Sequence, residues 1–474
     1  MMQQVQSPSV KKGAEVELGI EDLAFGGRGV ARYNGLTVFV DNAVPGDTVR
    51  ARIIKKKKRF AEARLLEVLA PSAFRREPVC PLCGYCGGCR LQILEYAKQL
   101  EFKAAQVKEI LARIGSLPEV TVLPVIPADQ TLGYRNKMEF ACSDRRWLLP
   151  EELDDPAADT GFALGLHVPG TFYKILDVKR CHLFPDEVSE ILDCVRQFIR
   201  RSPLPVYSLR SHTGFWRFVM MRHSVVHDHW LVNLVTAAEK PDHLRPLAEL
   251  LMERFPRVAA VVNNITASKA GVAVGEKEIP LAGVTRIEER LGECRFDISA
   301  NSFFQTNTRG AERLYRAAAE YAGLTGRETV VDLYCGTGTI GIWLSRMAAR
   351  VIGLEISGSC LADAERNRRK NGAENVRFIP GDVKESLAAL HEAVDVLVID
   401  PPRAGMHKVV VRQILAMAPG RIIYVSCNPA TLARDAALLA EAYTVAEVQP
   451  VDMFPHTPHI ESVARLVRKD MAHE

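Results

Sequence analysis

The chain of 474 residues is 47% hydrophobic, and its 61 basic and 57 acidic side chains leave a net charge of only +4. It is long enough for about three domains, and its charge excludes a generally cationic surface, so a nucleic acid would have to be held by local basic patches. No stretch approaches the about 18 apolar residues of a membrane span, and residues 1–13 lack the apolar core of a secretory signal, which predicts a cytoplasmic protein with reduced thiols and no membrane contact.

The N-terminal part of the chain predicts a small β-barrel. Residues 1–12 are polar, so we expect them to form a disordered leader. From residue 13 to residue 71, short β-branched runs alternate with turns that contain Gly, Asn-Gly and Pro-Gly-Asp, a pattern typical of an all-β barrel. The basic run Lys55 to Arg59 lies between two predicted strands, as either a solvated loop or a contact for phosphates. The segment resembles a TRAM domain, an RNA-binding barrel of the oligonucleotide-binding type.

A cysteine loop and a helix near residues 92–115 make up the next predicted segment, residues 72–124. Four cysteines lie within ten residues: Cys80, Cys83, Cys86 and Cys89. A zinc ribbon would need a long excursion between two cysteine pairs, but only two residues separate Cys83 from Cys86, so zinc is the weaker choice. Iron-sulfur clusters commonly take closely spaced thiolates from a tight loop, and the Gly-rich sequence CGYCGGC is such a loop.

The spacing of Cys80, Cys86 and Cys89 resembles the cluster motif of the ribosomal branch of RNA uracil-C5 methyltransferases. The fourth ligand of that branch lies far downstream, and the matching position here is Cys181. The resemblance implies a 4Fe-4S cluster with a structural or redox-sensing role, and leaves Cys83 as a bystander or as a substitute for one ligand. The cysteine spacing of radical enzymes that cleave S-adenosylmethionine is absent from the sequence. Four other cysteines are interpreted as packed or incidental thiols: Cys142, Cys194, Cys294 and Cys360.

Residues 125–295 predict a mixed α+β central domain that binds RNA. Basic residues alternate with aromatic ones in two stretches, Gly133 to Phe140 and Trp216 to Ser224, and such side chains suit phosphate contacts and stacking on an unpaired base. Four residues match a motif of the central domain in the same family: Tyr134, Arg135, Asn136 and Lys137. For each of them, RNA contact and a structural role remain open alternatives.

Residues 296–474 predict an α/β domain of the Rossmann-like kind. From residue 309 onward, helical and strand patterns alternate, which predicts a mostly parallel sheet with helices on both faces. Ligands of such folds bind beyond the carboxyl ends of the strands. The residues that follow each predicted strand are therefore the candidates for a functional site.

A cofactor site is predicted at these strand ends. One strand ends near Asp332, a turn with Gly336 and Gly338 follows it, and Glu355 lies at the end of the next strand. Dinucleotide-binding enzymes share these features, so they do not identify the cofactor by themselves. The rigid sequence Asp400-Pro-Pro-Arg after a later strand favours another class, because nicotinamide enzymes have no such loop.

This ordered set resembles the class I S-adenosylmethionine-dependent methyltransferases. The resemblance implies that Glu355 binds the ribose, that Asp382 lies near the adenine and that Asp400 lies near the reacting groups. The fragment SFFQTN is similar to the uracil-C5 family, which would use Gln305 on the cofactor; the alternative is an N-capping polar cluster. The cofactor-binding residues implied are Gln305, Asp332, Tyr334, Gly336, Gly338, Glu355, Asp382 and Asp400.

Methylation at C5 of uracil requires a nucleophile and a base. C5 becomes electron-rich only after a thiolate adds to C6, and a base must later remove the proton of C5. Cys427 lies between a predicted strand and a predicted helix, where the helix N-terminus favours a thiolate. The surrounding SCNPATLARD resembles the nucleophile motif of the uracil-C5 family. Glu461 matches the base of that family, and partial burial would tune its pKa. Asp400 would bind the uracil edge, and Arg403 would hold the uracil or the RNA backbone.

The resemblance extends over nearly the whole chain and implies a S-adenosylmethionine-dependent 23S ribosomal RNA (uracil-C5)-methyltransferase. Large ribosomal RNA is the expected partner, because the transfer-RNA branch generally lacks both the barrel and the cluster. A monomer without an obligate protein partner is expected. The alternatives are a tRNA uracil-C5 methyltransferase, an RNA amino-group methyltransferase without a nucleophile, and a catalytically silent RNA-binding factor.

Overall fold

A computed structural model describes residues 10–471, which form a barrel, a central α+β domain and a C-terminal α/β domain. Residues 1–9 of the expected leader lie outside the described residues. Between residues 10 and 471, no helix is long and apolar enough to cross a membrane.

The predicted N-terminal barrel is confirmed. Its closed order is β1-β2-β3-β5-β4, in which β3 and β5 run parallel and the other pairs are antiparallel. Alternate side chains of each strand fill its interior, and Val10, within the expected leader, is buried among them. The basic run Lys55 to Arg59 forms an exposed hairpin. The strands are β1 (Glu15–Ala24), β2 (Arg28–Tyr33), β3 (Leu36–Asp41), β4 (Thr48–Lys56) and β5 (Phe60–Ala70).

The cysteine loop leads into helix α1 (Tyr96–Ile114) and the short strand β6 (Thr121–Val122). The central domain follows, with a seven-stranded sheet in the order β13-β12-β11-β10-β7-β8-β9 and a separate β14-β15 hairpin. Its elements are β7 (Lys137–Ser143), β8 (Ala163–His167), β9 (Ile175–Asp177), α2 (Val188–Arg201), β10 (Trp216–Ser224), β11 (His229–Thr236), α3 (Pro241–Arg254), β12 (Val258–Ile265), β13 (Lys277–Gly283), β14 (Ile287–Leu291) and β15 (Cys294–Ile298).

The two faces of the central sheet have different neighbours. Helices α2 and α3 cover one face, where Val219 and Met221 of β10 are buried. Met220 lies between them in sequence and therefore points to the other face, where it packs in one cluster with the C-terminal domain. The central sheet is thus joined to the C-terminal domain through an apolar contact.

The C-terminal domain has the predicted alternation of helices and strands. Its eight-stranded sheet has the order β18-β17-β16-β19-β20-β22-β21-β6, in which the five strands from β18 to β20 are parallel and β22 is antiparallel to both neighbours. Its elements are α4 (Thr308–Ala322), β16 (Thr329–Leu333), α5 (Thr339–Leu344), β17 (Arg350–Glu355), α6 (Gly358–Lys370), β18 (Val376–Pro380), α7 (Val383–Ala388), β19 (Val396–Ile399), α8 (Lys408–Met417), β20 (Arg421–Ser426), α9 (Pro429–Leu439), β21 (Tyr443–Val451) and β22 (Glu461–Arg468).

Apolar layers cover both faces of this sheet. Val330 of β16 belongs to the layer that contains α4, whereas its neighbour Val331 belongs to the layer that contains α8 and α9. Helix α1 packs into the second layer through Val107 and Leu111, and β6 extends the sheet at its edge. The helix that follows the cysteine loop is therefore part of the core of the C-terminal domain.

Candidate active site

Four loops meet at one edge of the C-terminal sheet. Because β16, β17, β19 and β20 are parallel, their carboxyl ends lie side by side. The loops that follow them carry Tyr334, Ile356, Asp400 and Cys427. The backbone N–H of Asp400 donates to the carbonyl of Leu333 at 3.4 Å, which joins two of these loops.

Glu355 is held in place by backbone donors. One carboxylate oxygen accepts from the N–H of Gly336 at 3.0 Å, and the other accepts from Ser357 at 2.7 Å. Gly336 and Gly338 have φ angles of +55° and +76°, a conformation that glycine adopts without strain. A Cβ atom on Gly338 would lie 2.7 Å from the ring of Phe378. Each oxygen of Glu355 has a second lone pair, which leaves it able to accept a ligand hydroxyl.

Asp332 is fully buried beneath the same turn. One oxygen accepts from the N–H of Gly341 at 3.0 Å, and the other has no partner among residues 10–471. Burial raises the pKa of Asp332 to about 8, and the negative charges of Asp400 and Glu355 add to the effect. Asp332 therefore fixes the start of α5 and places an acidic group beneath the site.

Asp382 and Tyr334 line the other side of the turn. Asp382 caps α7 by accepting from the N–H of Lys384 at 2.9 Å, and this hydrogen bond lowers the pKa of Asp382. Tyr334 has a left-handed backbone with φ of +62°. Burial, followed by the charge of Asp382, raises the pKa of Tyr334 to about 12, so the phenol stays protonated as a hydrogen-bond donor.

Gln305 reaches this site from the segment before α4. Its carbonyl accepts from Asn136 Nδ2 at 2.9 Å, and its side chain lies near the hydroxyl of Tyr315, which is 2.8 Å from Thr339 Oγ1. Burial and the nearby charge of Asp400 raise the pKa of Tyr315. The sequence gives no signal for Tyr315, because its spacing is that of an ordinary core residue of a helix. The N-cap of α4 is Asn307, which accepts from Gly310 at 3.0 Å.

The register of two strands brings Cys427 and Glu461 together. Strands β20 and β22 are antiparallel with Ser426 opposite Ser462, so the next step places Cys427 across from Glu461. Opposite residues of such a pair have side chains on one face, about 4.5–5.5 Å apart at Cβ. The sheet therefore brings the predicted nucleophile next to the predicted base.

The charges around Cys427 are mainly negative. Burial, and then the charges of Glu461 and Asp400, raise the pKa of the Cys427 thiol to about 11, although Arg403 partly opposes them. Burial and then repulsion from Asp400 raise the pKa of Glu461 to about 8, and burial raises that of Asp400 to about 7. Without substrate the thiol is therefore protonated, although the helix N-terminus led us to expect a thiolate.

The cysteine loop and Cys181 line a cavity of about 440 Å³. Cys86 and Cys181 pack against the core of the central domain, whereas Cys83 packs on the other side, with the cluster around Leu91 and Phe102. The thiols on the cavity wall are those of Cys80, Cys83, Cys86, Cys89 and Cys181.

The cavity does not offer a site for a single metal ion. Among the described residues, no three His, Cys, Asp or Glu side chains lie close enough to hold one. Zinc needs thiolates at about 2.3 Å from one ion, whereas a cluster spreads its thiolates over several irons. Gln92 also lines the cavity: its Oε1 accepts from the N–H of Cys80 at 3.1 Å, and its buried Nε2 has no partner within residues 10–471. The five thiols share this wall with charged and imidazole side chains, among them Arg135, Glu139 and His182, so the iron-sulfur cluster remains a prediction.

His456 connects the cysteine loop to the segment before Glu461. Its carbonyl accepts from the N–H groups of Arg90 and Leu91 at 3.0 and 2.9 Å. The side chain of Gln99 bonds both to the His456 ring, at 3.1 Å, and to its N–H, at 3.0 Å. His456 has φ of +64°, a conformation that these contacts hold in place. The cysteine loop thus supports the segment that carries the candidate base.

In the central domain, two motif residues have structural roles. Asn136 is buried and donates to Gln305 and to Thr308 Oγ1, and buried Tyr134 donates to the carbonyl of Pro455 at 3.1 Å. The expectation of RNA contacts along the stretch Trp216 to Ser224 is wrong for most of its residues, although Arg217 and Phe218 line a surface cavity. That stretch is β10, a central strand whose side chains are nearly all buried.

Comparison with known proteins shows the family of the chain. A family model described as tRNA (uracil-5-)-methyltransferase matches residues 224–469, and a TRAM domain model matches residues 9–66. The chain belongs to the tRNA (uracil-5-)-methyltransferase family. It is an S-adenosylmethionine-dependent RNA methyltransferase, and the resemblances to the uracil-C5 RNA methyltransferases and to a TRAM domain are confirmed.

The chain is similar to members of this family over its whole length. A protein named as an uncharacterized RNA methyltransferase of Chlorobaculum tepidum is 42% identical over 97% of this chain and 98% of the relative. A second protein with this description, from Porphyromonas gingivalis, is 41% identical over 95% of this chain and 99% of the relative. The crystal structure of Pyrococcus abyssi tRNA (uracil-54, C5)-methyltransferase in complex with S-adenosyl-L-homocysteine covers 95% of this chain and 100% of its own, with 29% identity and a TM-score of 0.75.

Proposed function

We propose that this protein methylates C5 of a uridine in large ribosomal RNA through a covalent bond between Cys427 and C6. The observation that carries the proposal is the position of Cys427 across from Glu461, with Asp400 beside both at the carboxyl edge of the sheet. An amino-group methyltransferase needs neither the thiol nor the base. A silent RNA-binding factor would have no reason to bury acidic groups around a thiol, because their mutual repulsion costs stability.

The residues of the chain account for each step at the uracil. The Cys427 thiol loses its proton to Asp400, which leaves Glu461 free to act as the later base, and its sulfur bonds to C6, which makes C5 electron-rich. S-adenosylmethionine, when bound, supplies an electrophilic methyl group, which C5 accepts. Glu461 then removes the proton from C5, the electron pair of that C–H bond forms the C5–C6 double bond, and the C6–S bond breaks with its electrons returning to the Cys427 sulfur. Arg403 lowers the pKa of both Cys427 and Glu461, which favours their ionised forms.

The cofactor would lie over the turn between β16 and α5. Glu355 is placed to accept the ribose hydroxyls, and Asp382 and Gln305 lie on either side of the same turn. Two apolar side chains border this place and are unusually exposed, Phe303 at 60% and Ile356 at 68%. Exposed apolar surface of this kind suits a flat ring such as adenine.

We also propose that Cys80, Cys86, Cys89 and Cys181 hold a 4Fe-4S cluster. Support comes from the cavity that these four cysteines line together and from the spacing of Cys80, Cys86 and Cys89 in the sequence. The packing of Cys83 on the barrel side favours its interpretation as a bystander. The cluster would join the cysteine loop to the central domain and so stabilise the contact with His456.

Anaerobic purification is expected to give about four irons and four sulfides per chain. Cys181→Ala should lose most of this iron, because it removes the ligand from the central domain, whereas Cys83→Ala should retain it. Cys142→Ala, a buried cysteine outside the cavity, is the matched control. Metal and acid-labile sulfide analysis measures the result. Zinc at one per chain without sulfide would contradict the cluster.

Transfer RNA is the second candidate substrate. The Pyrococcus abyssi tRNA enzyme covers 95% of this chain, which includes most of the barrel. The barrel is therefore not restricted to ribosomal enzymes, and the choice of ribosomal RNA rests on the cysteine motif. Incubation with large ribosomal RNA and with transfer RNA, followed by nucleoside analysis for 5-methyluridine, distinguishes the two.

A 5-fluorouridine-substituted RNA is expected to trap the enzyme. Fluorine cannot be removed as a proton, so wild-type protein with S-adenosylmethionine should form a covalent complex with RNA that Cys427→Ala abolishes. Cys194→Ala, a buried cysteine of α2, serves as a control for loss of a thiol. Mass spectrometry measures the adduct. Methylation of ordinary RNA at the normal rate by Cys427→Ala would overturn the nucleophile and favour the amino-group reaction.

A further inference from the structure

A second cavity, of about 470 Å³, lies on the central sheet. Its floor is made by apolar residues of three strands, Ala141, Ile175 and Phe218, and its walls by the loops between the strands. We call it the aromatic pocket and define it by the polar and aromatic residues of its walls: Arg145, Arg146, Trp147, Tyr173, Lys174, Tyr207, Arg210 and Arg217.

Two exposed aromatic rings border the aromatic pocket. Trp147 and Tyr173 are 43% and 42% exposed, which is unusual for side chains of this size. A cation lies against each ring: Lys174 Nζ is 3.8 Å from the centre of Trp147, and the Arg210 guanidinium is 5.1 Å from the centre of Tyr173. Flat rings with adjacent cations are the combination that binds a base and its phosphate.

Arg217 places a buried cation at the base of the aromatic pocket. It is only 3% exposed, and its hydrogen bonds go to the carbonyls of Thr266 at 3.0 Å, Ser268 at 2.6 Å and Ala270 at 2.8 Å rather than to a carboxylate. Its guanidinium lies 4.2 Å from the ring of Tyr207. Its Nε has no partner among residues 10–471. A buried donor of this kind is costly unless a ligand completes its bonds, and an anion does so best.

The aromatic pocket is positively charged. Five arginine or lysine residues line it, whereas Asp144 is the only acidic residue on its walls within the described chain. Arg146 is neutralised by an ion pair with Glu152. The remaining cations give the pocket an excess of positive charge, which favours a negatively charged ligand.

The aromatic pocket is on the side of the central sheet that faces the catalytic domain. Phe218 of its floor and Met220, two residues along β10, share one face, and Met220 packs with the catalytic domain. His167 lines both the aromatic pocket and the cysteine cavity, whose far wall includes Thr306 and His459 near the active site. An RNA that reaches the active site therefore meets the same side of the central sheet as the aromatic pocket.

We propose that the aromatic pocket binds an unpaired nucleotide of the substrate RNA other than the target uridine. The base stacks on Trp147 or Tyr173, and the phosphate accepts from Arg217 and Arg210. This inference rests on the proposed function only in taking RNA as the substrate. Such a contact would select RNAs in which a second nucleotide is unpaired at a fixed distance from the target.

Tryptophan fluorescence tests the pocket directly. Of the four tryptophans, Trp216 and Trp230 are fully buried and Trp147 is the most exposed. A short single-stranded oligouridylate should quench the emission of wild-type protein, and Trp147→Phe should lose that quench. Binding should weaken about tenfold or more in Arg210→Glu, the size expected for one phosphate contact with its stacked base. Arg201→Glu, the same charge change at an exposed position at the end of α2, should have no effect.

Three outcomes overturn the aromatic pocket as a nucleotide site. They are no quench by oligouridylate, an equal loss of binding in Arg201→Glu, and stronger quenching by polyglutamate than by oligouridylate, which would indicate an acidic peptide. Methylation assays separate this inference from the proposed function. Trp147→Ala should raise the KM for substrate RNA about tenfold with kcat unchanged, and Trp147→Phe should restore it. Wild-type protein that methylates no ribosomal or transfer RNA contradicts the proposed function, whatever the fluorescence shows.

Discussion

Glu461→Gln is expected to stop turnover and leave RNA attached to Cys427 through a methylated pyrimidine. After methyl transfer, C5 carries both a proton and the new methyl group, and the thiol cannot leave until a base removes that proton. Glutamine fits the same buried position but cannot accept the proton. The release of methylated RNA should fall about a hundredfold to ten-thousandfold. A methyl-labelled cofactor and a denaturing gel would show the label on the protein–RNA complex.

Two control variants determine the meaning of this result. The double variant Cys427→Ala/Glu461→Gln should form no covalent complex, because the nucleophile is absent. Glu441→Gln makes the same change at an exposed position and should leave the rate of release unaltered. If Glu461→Gln releases methylated RNA as fast as wild type, another group must take the C5 proton.

The pH dependence of wild-type activity should follow the raised pKa values of the site. The base must be ionised to act, and the pKa values are raised to about 8 for Glu461 and about 7 for Asp400. Methylation, measured as kcat/KM, should therefore rise as pH increases through this range. The acidic limb assigned to Glu461 should be absent from the residual rate of Glu461→Gln.

The stability of the fold should fall as pH rises, opposite to the change expected for methylation activity. Because the folded pKa of Glu461 lies above its ordinary value of 4.5, its contribution to stability is complete below that value and is lost as pH rises through about 8. Above that pH, Glu461→Gln should unfold at a higher temperature than wild type, since it avoids a buried charge. A thermal scan on each side of this range also shows that the variant is folded when its activity is lost.

The strand ends were the part of the site that the sequence could predict. Glu355, Asp400 and Cys427 each follow a short apolar run, and the rule that ligands bind beyond the carboxyl ends of parallel strands is enough to group them. Tyr315 and Asn136 could not be found in this way. Both are buried, and the hydrogen bond from Asn136 to Gln305 joins segments far apart in the chain.

The protonation state of Cys427 shows a second limit of sequence reasoning. A neighbouring helix N-terminus is visible in the sequence and favours a thiolate. The burial of the thiol and the charges of Glu461 and Asp400 are visible only in the fold, and they outweigh that effect. Local sequence gives one contribution to a pKa, whereas tertiary structure gives the others.

The aromatic residues of the central domain show a third limit of sequence reasoning. Trp216 lies in a stretch of alternating basic and aromatic residues that we expected to contact RNA, yet its strand has neighbours on both sides and a covered face. Trp147 lies in an irregular polar stretch and attracted no prediction. On a central strand, a basic and aromatic pattern therefore indicates RNA contact only at residues that line a surface cavity, as Arg217 does.

Among the substitutions named here, Lys103→Met is expected to give the largest loss in the free energy of unfolding. The Lys103 ammonium lies 2.7 Å from Asp452 Oδ1 and also donates to the carbonyl of Phe454 at 3.2 Å. The side chains of Lys103 and Asp452 are 2% and 0% exposed. Methionine has a similar length but leaves the Asp452 charge buried without a partner, which costs about 3–5 kcal/mol. The temperature of thermal unfolding should fall by several degrees.

The double variant Lys103→Met/Asp452→Asn separates the ion pair from packing. If the loss in Lys103→Met comes from the unpaired Asp452 charge, neutralising that residue should restore most of the unfolding temperature. If the loss comes from packing of α1, the double variant should be as unstable as the single one. Because Asp452 begins the segment that leads to Glu461, the single variant should also lose kcat while its affinity for S-adenosyl-L-homocysteine, measured by calorimetry, stays unchanged. Equal losses of both would indicate general unfolding of the domain instead of displacement of the base.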